Sequence, residues 1–191
     1  MVSYFIIGET GAGKTYYSLE LIEKYKKKLG NKFFCLVFDT NNTDFKNTPY
    51  WDFKTKMGIF RVKETLNFTI EHYLDLMLEL KNCIFYIDEA STAVGVGQLR
   101  PQIRKAITQK RHTCNRIIFI YHQWGQTPPQ LSVLCDYIVQ FKTSITDAPF
   151  CKKRVFSSNP SIYTDKLDLD YLPKFSKKIQ FNTELAKNNV I

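Results

Sequence analysis

Apolar runs of strand length alternate with stretches of helical periodicity over the first 142 residues. Runs that are apolar throughout are typical of parallel strands covered on both faces. They predict strands at 4–7, 33–38, 83–87, 116–121 and 136–142. Apolar positions at helical spacing predict helices at 16–29, 69–80 and 101–111. The alternation predicts an α/β fold with a mainly parallel central sheet and helices on both faces.

Two further stretches fit this scheme less regularly. The aromatic and basic segment 50–65 contains a short strand-like piece at 58–62, which we interpret as part of a peripheral insertion. Residues 150–156 are predicted to pair antiparallel with the strand at 136–142. The expected organisation is therefore a core at 1–145 and a C-terminal hairpin and extension at 146–191, within one compact unit.

Length and composition limit the class of protein. A chain of 191 residues has room for one domain and an extension, and no stretch is as apolar as a membrane span. The first seven residues are expected to be a strand and not a signal peptide. The five scattered cysteines indicate free thiols in a reducing compartment. The net charge of +9, from 27 Lys and Arg against 18 Asp and Glu, suits a polyanionic partner such as nucleic acid.

Residues 8–15 fit the pattern G-x-x-x-x-G-K-[ST], the Walker A motif, between a predicted strand and a predicted helix. Glycines let backbone N–H groups surround phosphate oxygens, and the helix N-terminus adds positive charge. Lys14 is expected to reach the β- and γ-phosphates, and the Thr15 hydroxyl to bind Mg²⁺. The predicted nucleotide-binding residues are Gly8, Glu9, Thr10, Gly11, Ala12, Gly13, Lys14 and Thr15.

The apolar run 83–87 ends in two carboxylates, which is the Walker B pattern. Asp88 is predicted to hold Mg²⁺ directly or through water, and Glu89 to polarise the attacking water. The alternative is an acidic pair that only caps the following turn. The two motifs together predict ATP hydrolysis with Mg²⁺ as the metal.

A basic segment without acidic residues follows the second motif. Residues 90–135 contain no Asp or Glu, and six cations fall within 100–116. Arg100, Arg104 and Arg111 share one face of the predicted helix, where like charges disfavour an isolated helix. We expect DNA phosphates, or the γ-phosphate on a neighbouring subunit, to compensate them. A merely solvated basic face is the alternative.

With residues 8–15, Asp88-Glu89 and Gln123 at predicted strand tips, the chain resembles the additional-strand P-loop ATPases of the FtsK/HerA superfamily. Within them it looks like the small genome-packaging ATPases of membrane-containing icosahedral viruses, and also like the zonula occludens toxin-like assembly ATPases of filamentous phages. The resemblance covers residues 1–142 and implies a three-layer P-loop NTPase fold. It implies that Gln123 senses the γ-phosphate and the lytic water, whereas His122 is expected to point to the opposite side as a packing or loop residue.

The resemblance implies an ATP-hydrolysing motor that translocates or packages viral DNA, independently of sequence, as a ring-shaped homo-oligomer, a pentamer or a hexamer. Arg104 or Arg111 would act in trans. The expected setting is the host cytoplasm or the virion, with docking to a capsid or inner membrane. The filamentous-phage assembly ATPase is one alternative; a small-molecule phosphotransferase and a non-enzymatic nucleotide switch are the others.

Overall fold

The computed structural model of the protein describes residues 2–39, 44–62, 69–143, 150 and 177–181. The strands are β1 (Ser3–Ile7), β2 (Phe34–Phe38), β3 (Gly58–Arg61), β4 (Ile84–Ile87), β5 (Arg116–Tyr121), β6 (Tyr137–Phe141) and β7 (Lys177–Phe181). The α-helices are α1 (Lys14–Leu29), α2 (Ile70–Glu79), α3 (Ala90–Val94), α4 (Pro101–Thr113) and α5 (Pro129–Leu134).

These strands form a single sheet with the order β3-β2-β4-β5-β1-β6-β7. The first six strands run parallel to their neighbours, and β7 pairs antiparallel with β6. The predicted α/β fold is confirmed. Strand β5 lies between β1, which precedes the glycine-rich loop, and β4, which precedes the acidic pair.

Helices cover both faces of the sheet, and each face has its own apolar core. On one face α1 packs through Leu21, Ile22 and Tyr25 against alternate residues of the strands. On the other face α2, α4 and α5 pack against the remaining alternate residues. Because both faces are buried, the central parallel strands are apolar along most of their length, which is why the sequence identified them.

Two parts of the chain differ from the sequence prediction. The piece assigned to a peripheral insertion is β3, a parallel strand paired with β2 at one edge of the sheet. The antiparallel neighbour of β6 is β7, whereas the predicted partner at 150–156 lies almost wholly outside the described residues. The pairing of β7 joins part of the 146–191 extension to the central sheet.

The carboxyl ends of the six parallel strands meet at one edge of the sheet. The glycine-rich loop follows β1 there, Asp39 follows β2, Asp88 and Glu89 follow β4, and His122 follows β5. In open α/β sheets ligands bind in the crevice outside this edge. The candidate site therefore lies there.

Candidate active site

The glycine-rich loop is held by the strands on either side of β1. The backbone N–H of Gly8 donates to the Tyr121 carbonyl at 3.3 Å, and that of Glu9 donates to the Lys142 carbonyl at 2.7 Å. A Cβ on Gly8 would lie 2.6 Å from the Cβ of Phe141, so this position excludes any side chain. Further along, positive φ values of 76° at Gly11 and 102° at Gly13 turn the chain into α1. The loop thus turns tightly from β1 into α1, and its binding of phosphate stays a prediction.

Lys14 lies folded back on this loop. Its Nζ donates to the carbonyl oxygens of Gly8 at 2.7 Å and Glu9 at 2.9 Å. Burial lowers the pKa of Lys14 to about 8, opposed by the negative charges of Asp88, Glu9 and Glu89. The ammonium group lies at the loop, where it could turn toward a bound phosphate.

Asp88 is a buried carboxylate among other carboxylates. Asp88 is the first residue after β4, and its backbone N–H donates to the Phe38 carbonyl at 2.9 Å. Burial, together with the nearby negative charges of Asp39, Asp44 and Glu89, raises the pKa of Asp88 to about 6. A cation placed beside Asp88 would relieve this repulsion. The donor chemistry fits a hard ion such as Mg²⁺.

Thr15, on α1, is the other predicted Mg²⁺ ligand. The Ser18 side chain links α1 to β4, the strand that Asp88 follows. Ser18 Oγ lies 2.9 Å from the Thr15 carbonyl oxygen and 3.3 Å from the hydroxyl oxygen of Tyr86. Among the described residues no group of three or more His, Cys, Asp and Glu side chains is arranged to hold a metal. In P-loop proteins one or two protein ligands hold Mg²⁺ together with water and phosphate oxygens. Thr15 and Asp88 as its ligands stay a prediction.

Glu89 adopts a left-handed backbone conformation, with φ 44° and ψ 53° at the start of α3. Such a conformation costs about 1–2 kcal/mol for a residue other than glycine. The Thr92 N–H and hydroxyl stabilise it by donating to the Glu89 carbonyl at 3.1 and 3.0 Å. The turn places the Glu89 carboxylate toward the tip of β5, where Oε1 is 3.4 Å from Nε2 of His122.

His122 lies inside the site, so its assignment to the opposite side was wrong. Its Nδ1 is 3.2 Å from Lys14 Nζ and 3.4 Å from Thr10 Oγ1. Burial and the Lys14 charge lower the pKa of His122, with Glu89 opposing them.

Strand alternation explains the error. Ile118 pairs with Tyr86, and both belong to the core on the α1 face, so the alternate positions Ile120 and His122 continue on that face. The signal was present in the sequence, but only the register with β4 shows which of the two faces the loop and α1 occupy.

Gln123 is exposed, and its backbone carbonyl accepts a hydrogen bond from the Gln126 N–H at 3.2 Å. Its side chain makes no hydrogen bond to any other residue that the structure describes, whereas His122 contacts two functional groups. The sensor role of Gln123 stays a prediction.

The basic segment does not form one uniform surface. Arg104 and Arg111 are exposed on α4, which covers the sheet face opposite α1. Arg100 instead pairs with Glu71 of α2 at 3.0 Å. Lys110 is buried, 2.6 Å from the Asp136 carboxylate. Arg104 and Arg111 therefore remain available to a partner, and their roles in trans stay predictions.

Comparison with known proteins places this geometry in context. No protein-family model matches the sequence, and no curated protein is significantly similar to it. Among solved structures, the genome packaging NTPase B204 of Sulfolobus turreted icosahedral virus 2, in complex with ATP-gammaS, matches with a TM-score of 0.75 and 17% identity, covering 94% of this chain and 92% of that chain. This chain has the fold of that packaging NTPase.

A second structure agrees with the first. B204, the DNA-packaging ATPase of Sulfolobus turreted icosahedral virus, matches with a TM-score of 0.74 and 18% identity, again covering 94% of this chain and 92% of that chain. The likeness extends over almost the full length of both proteins. None of the described helices of this chain is both long and apolar enough to cross a membrane.

Proposed function

We propose that this protein is an ATPase that packages viral DNA as a ring-shaped oligomer in the host cytoplasm or at the virion. The observation that carries the proposal is the grouping of Lys14, Asp88, Glu89 and His122 at the carboxyl edge of the sheet. The fold shared with the B204 packaging NTPases supports the biological setting.

Hydrolysis needs phosphate binding, charge neutralisation and an activated water, and the site has candidates for each. The N–H groups of Gly8 and Glu9 donate to backbone carbonyls outside the loop, so the backbone N–H groups of the loop after Glu9 would bind the phosphates. Lys14 would turn from the loop carbonyls to the β- and γ-phosphates. Thr15 and Asp88 would hold Mg²⁺, which neutralises charge on the phosphate oxygens. The Glu89 carboxylate would accept a proton from water as the water oxygen bonds to the γ-phosphorus and the bond to the β-phosphate oxygen breaks. The products are ADP and inorganic phosphate.

Coupling to DNA is proposed from the exposed cations of α4. Arg104 and Arg111 lie away from the α1 face, where they could contact DNA or reach the nucleotide of a neighbouring subunit. Contacts to phosphates alone are independent of sequence and weaken steeply with salt.

The test is phosphate release by the purified protein with ATP and Mg²⁺, with and without double-stranded DNA, beside a measurement of oligomer mass. We expect turnover that DNA stimulates and a ring of five or six subunits. Lys14→Met should abolish turnover, whereas Lys28→Met, at the exposed end of α1, should leave activity without DNA unchanged.

Each negative result removes a different part of the proposal. Absence of phosphate release from ATP would exclude the ATPase. Turnover that neither responds to DNA nor accompanies DNA binding would exclude the packaging motor. Transfer of the phosphate to an acceptor other than water would indicate a phosphotransferase.

A further inference from the structure

The two ring nitrogens of His122 contact different functional groups of the site. Nδ1 is 3.2 Å from Lys14 Nζ, and Nε2 is 3.4 Å from Glu89 Oε1. A lysine ammonium group can only donate hydrogen bonds, so Nδ1 must be the acceptor of this contact. The hydrogen of the neutral ring is then on Nε2 and points toward an acceptor, the Glu89 carboxylate. The contacts thus define a chain from Lys14 through His122 to Glu89.

The hydrogen bonds of Lys14 explain why this chain would respond to nucleotide. Its Nζ has three acceptors within reach, which are the Gly8 carbonyl, the Glu9 carbonyl and His122 Nδ1. An ammonium group has three N–H donors, so the three contacts use all of them. Contact with phosphate oxygens requires Lys14 to release at least one acceptor. His122 is the acceptor on a side chain, and the other two belong to the loop backbone.

We propose that His122 is a positioning residue that couples the placement of Lys14 to the orientation of the Glu89 carboxylate. This inference rests on the proposed ATPase function and concerns its regulation. Without nucleotide, the ring holds Lys14 at the loop through Nδ1 and Glu89 through Nε2. When Lys14 turns to the phosphates, Nδ1 keeps only the longer contact of 3.4 Å with the Thr10 hydroxyl. The ring can then rotate, which changes the position of the carboxylate that activates water.

Substitutions of His122 can distinguish the role of Nδ1 from the role of Nε2. The amide of asparagine can occupy the place of Nδ1, and the longer glutamine can place its amide near Nε2. His122→Leu removes both polar contacts and keeps a side chain of similar size. If the contact with Glu89 controls hydrolysis, His122→Leu and His122→Asn should lower kcat about 10- to 100-fold, the size of effect that small misplacements of reacting groups produce.

Unlike kcat, the binding of ATP should not be weakened by His122→Leu. Without Nδ1 as an acceptor, Lys14 loses one contact that holds it at the loop. KM for ATP should therefore stay the same or fall in His122→Leu, while kcat falls. His122→Gln should keep kcat within a few-fold of wild type. The control is His112→Asn on the exposed side of α4, which should match the wild type in both constants without DNA.

Equal losses of kcat in the leucine, asparagine and glutamine variants, each with a lower melting temperature, would reduce His122 to a structural residue. Wild-type kcat in His122→Leu would overturn the proposal outright.

A spectroscopic experiment tests the coupling without turnover. Nitrogen NMR of the ring nitrogens should find His122 neutral with the hydrogen on Nε2, assigned by the loss of its signals in His122→Asn. At analogue concentrations that saturate each protein, a non-hydrolysable ATP analogue should shift the Nδ1 signal in the wild type and leave it in place in Lys14→Met. A hydrogen on Nδ1 in the free protein, or an Nδ1 signal that bound analogue does not move, would refute the coupling. Because this experiment needs binding only, it separates failure of the coupling from failure of the ATPase proposal.

Discussion

The buried ion pair between Lys110 and Asp136 gives a quantitative test of the structure. Asp136 Oδ2 lies 2.6 Å from Lys110 Nζ and accepts hydrogen bonds from the Ser3 N–H at 2.7 Å and the Ser3 hydroxyl at 2.9 Å. Lys110 Nζ also donates to that hydroxyl at 2.9 Å. The Lys110 and Asp136 side chains are only 7% and 10% exposed. The cluster connects α4 to the beginnings of β1 and β6, at the edge of the sheet opposite the candidate site.

Lys110→Met keeps most of the side-chain length but removes the charge. Removing one partner of a buried pair costs about 3–5 kcal/mol because the remaining charge is left unpaired. Both Ser3 donors still reach Asp136, so we expect the lower end, about 3 kcal/mol. For a chain of this size that loss lowers Tm by about 6–12 °C.

The measurement is urea unfolding together with a thermal melt. The control is Lys105→Met, five residues earlier on the exposed side of α4. Lys105→Met should change stability by less than about 0.5 kcal/mol. The double variant Lys110→Met/Asp136→Asn should be more stable than Lys110→Met alone, since it no longer buries an unpaired carboxylate. If Lys110→Met is as mild as Lys105→Met, the pair is not buried and Lys110 belongs to the exposed basic surface.

Four other results are expected. Gly8→Ala should abolish nucleotide binding and lower Tm, because the new methyl group would lie within 2.6 Å of a β6 side chain; wild-type binding and Tm would contradict this contact. Glu89→Gln should bind ATP without releasing phosphate. Glu89→Gly should also be inactive, but its free energy of unfolding should exceed that of the wild type by about 1 kcal/mol, since glycine adopts the left-handed conformation freely. Equal free energies of unfolding in Glu89→Gly and the wild type would argue against backbone strain. Arg104→Ala with Arg111→Ala should weaken DNA binding and reduce its salt dependence, or slow hydrolysis; no change in either assay would make α4 a solvated face. Between the ordinary pKa of Asp88 and about 6, the folded protein binds more protons at Asp88 than the unfolded chain does. Without nucleotide or metal, the wild type should therefore lose stability relative to Asp88→Asn as the pH rises through that window. A difference in Tm that does not change with pH would refute the raised pKa.

The strands were predictable wherever both of their faces are buried. The four-residue strand β3 was placed in an insertion because its sequence, Gly58–Arg61, is short and only partly apolar. Among the described strands it pairs with β2 only. An edge strand lacks the continuous apolar pattern that identifies a central strand. Its membership in the sheet depends on pairing with β2, which no local pattern records.

The Walker motifs were predictable because each is a continuous stretch whose chemistry depends on local spacing. His122 and Lys110 were not, because the function of each depends on contacts distant in sequence. The face to which His122 points follows from the register of β5 with β4. The burial of Lys110 follows from the placement of β6 beside β1, which brings Asp136 to it. A count of cations in the sequence cannot separate a buried ion pair from an exposed binding surface.

The insertion of β5 between the two motif strands gives a geometric reason for the position of His122. Neighbouring strands are about 4.8 Å apart, so the strands that precede the loop and the acidic pair are separated by about 10 Å. Under the proposed function, the γ-phosphate and the attacking water would lie beyond the tip of β5, between Lys14 and Glu89. The residue at the tip of β5 stands midway between the two motif strands, and the ring of His122 reaches Lys14 on one side and Glu89 on the other. A residue in that place contacts both the group that would bind phosphate and the group that would activate water, so the strand order itself favours coupling between them.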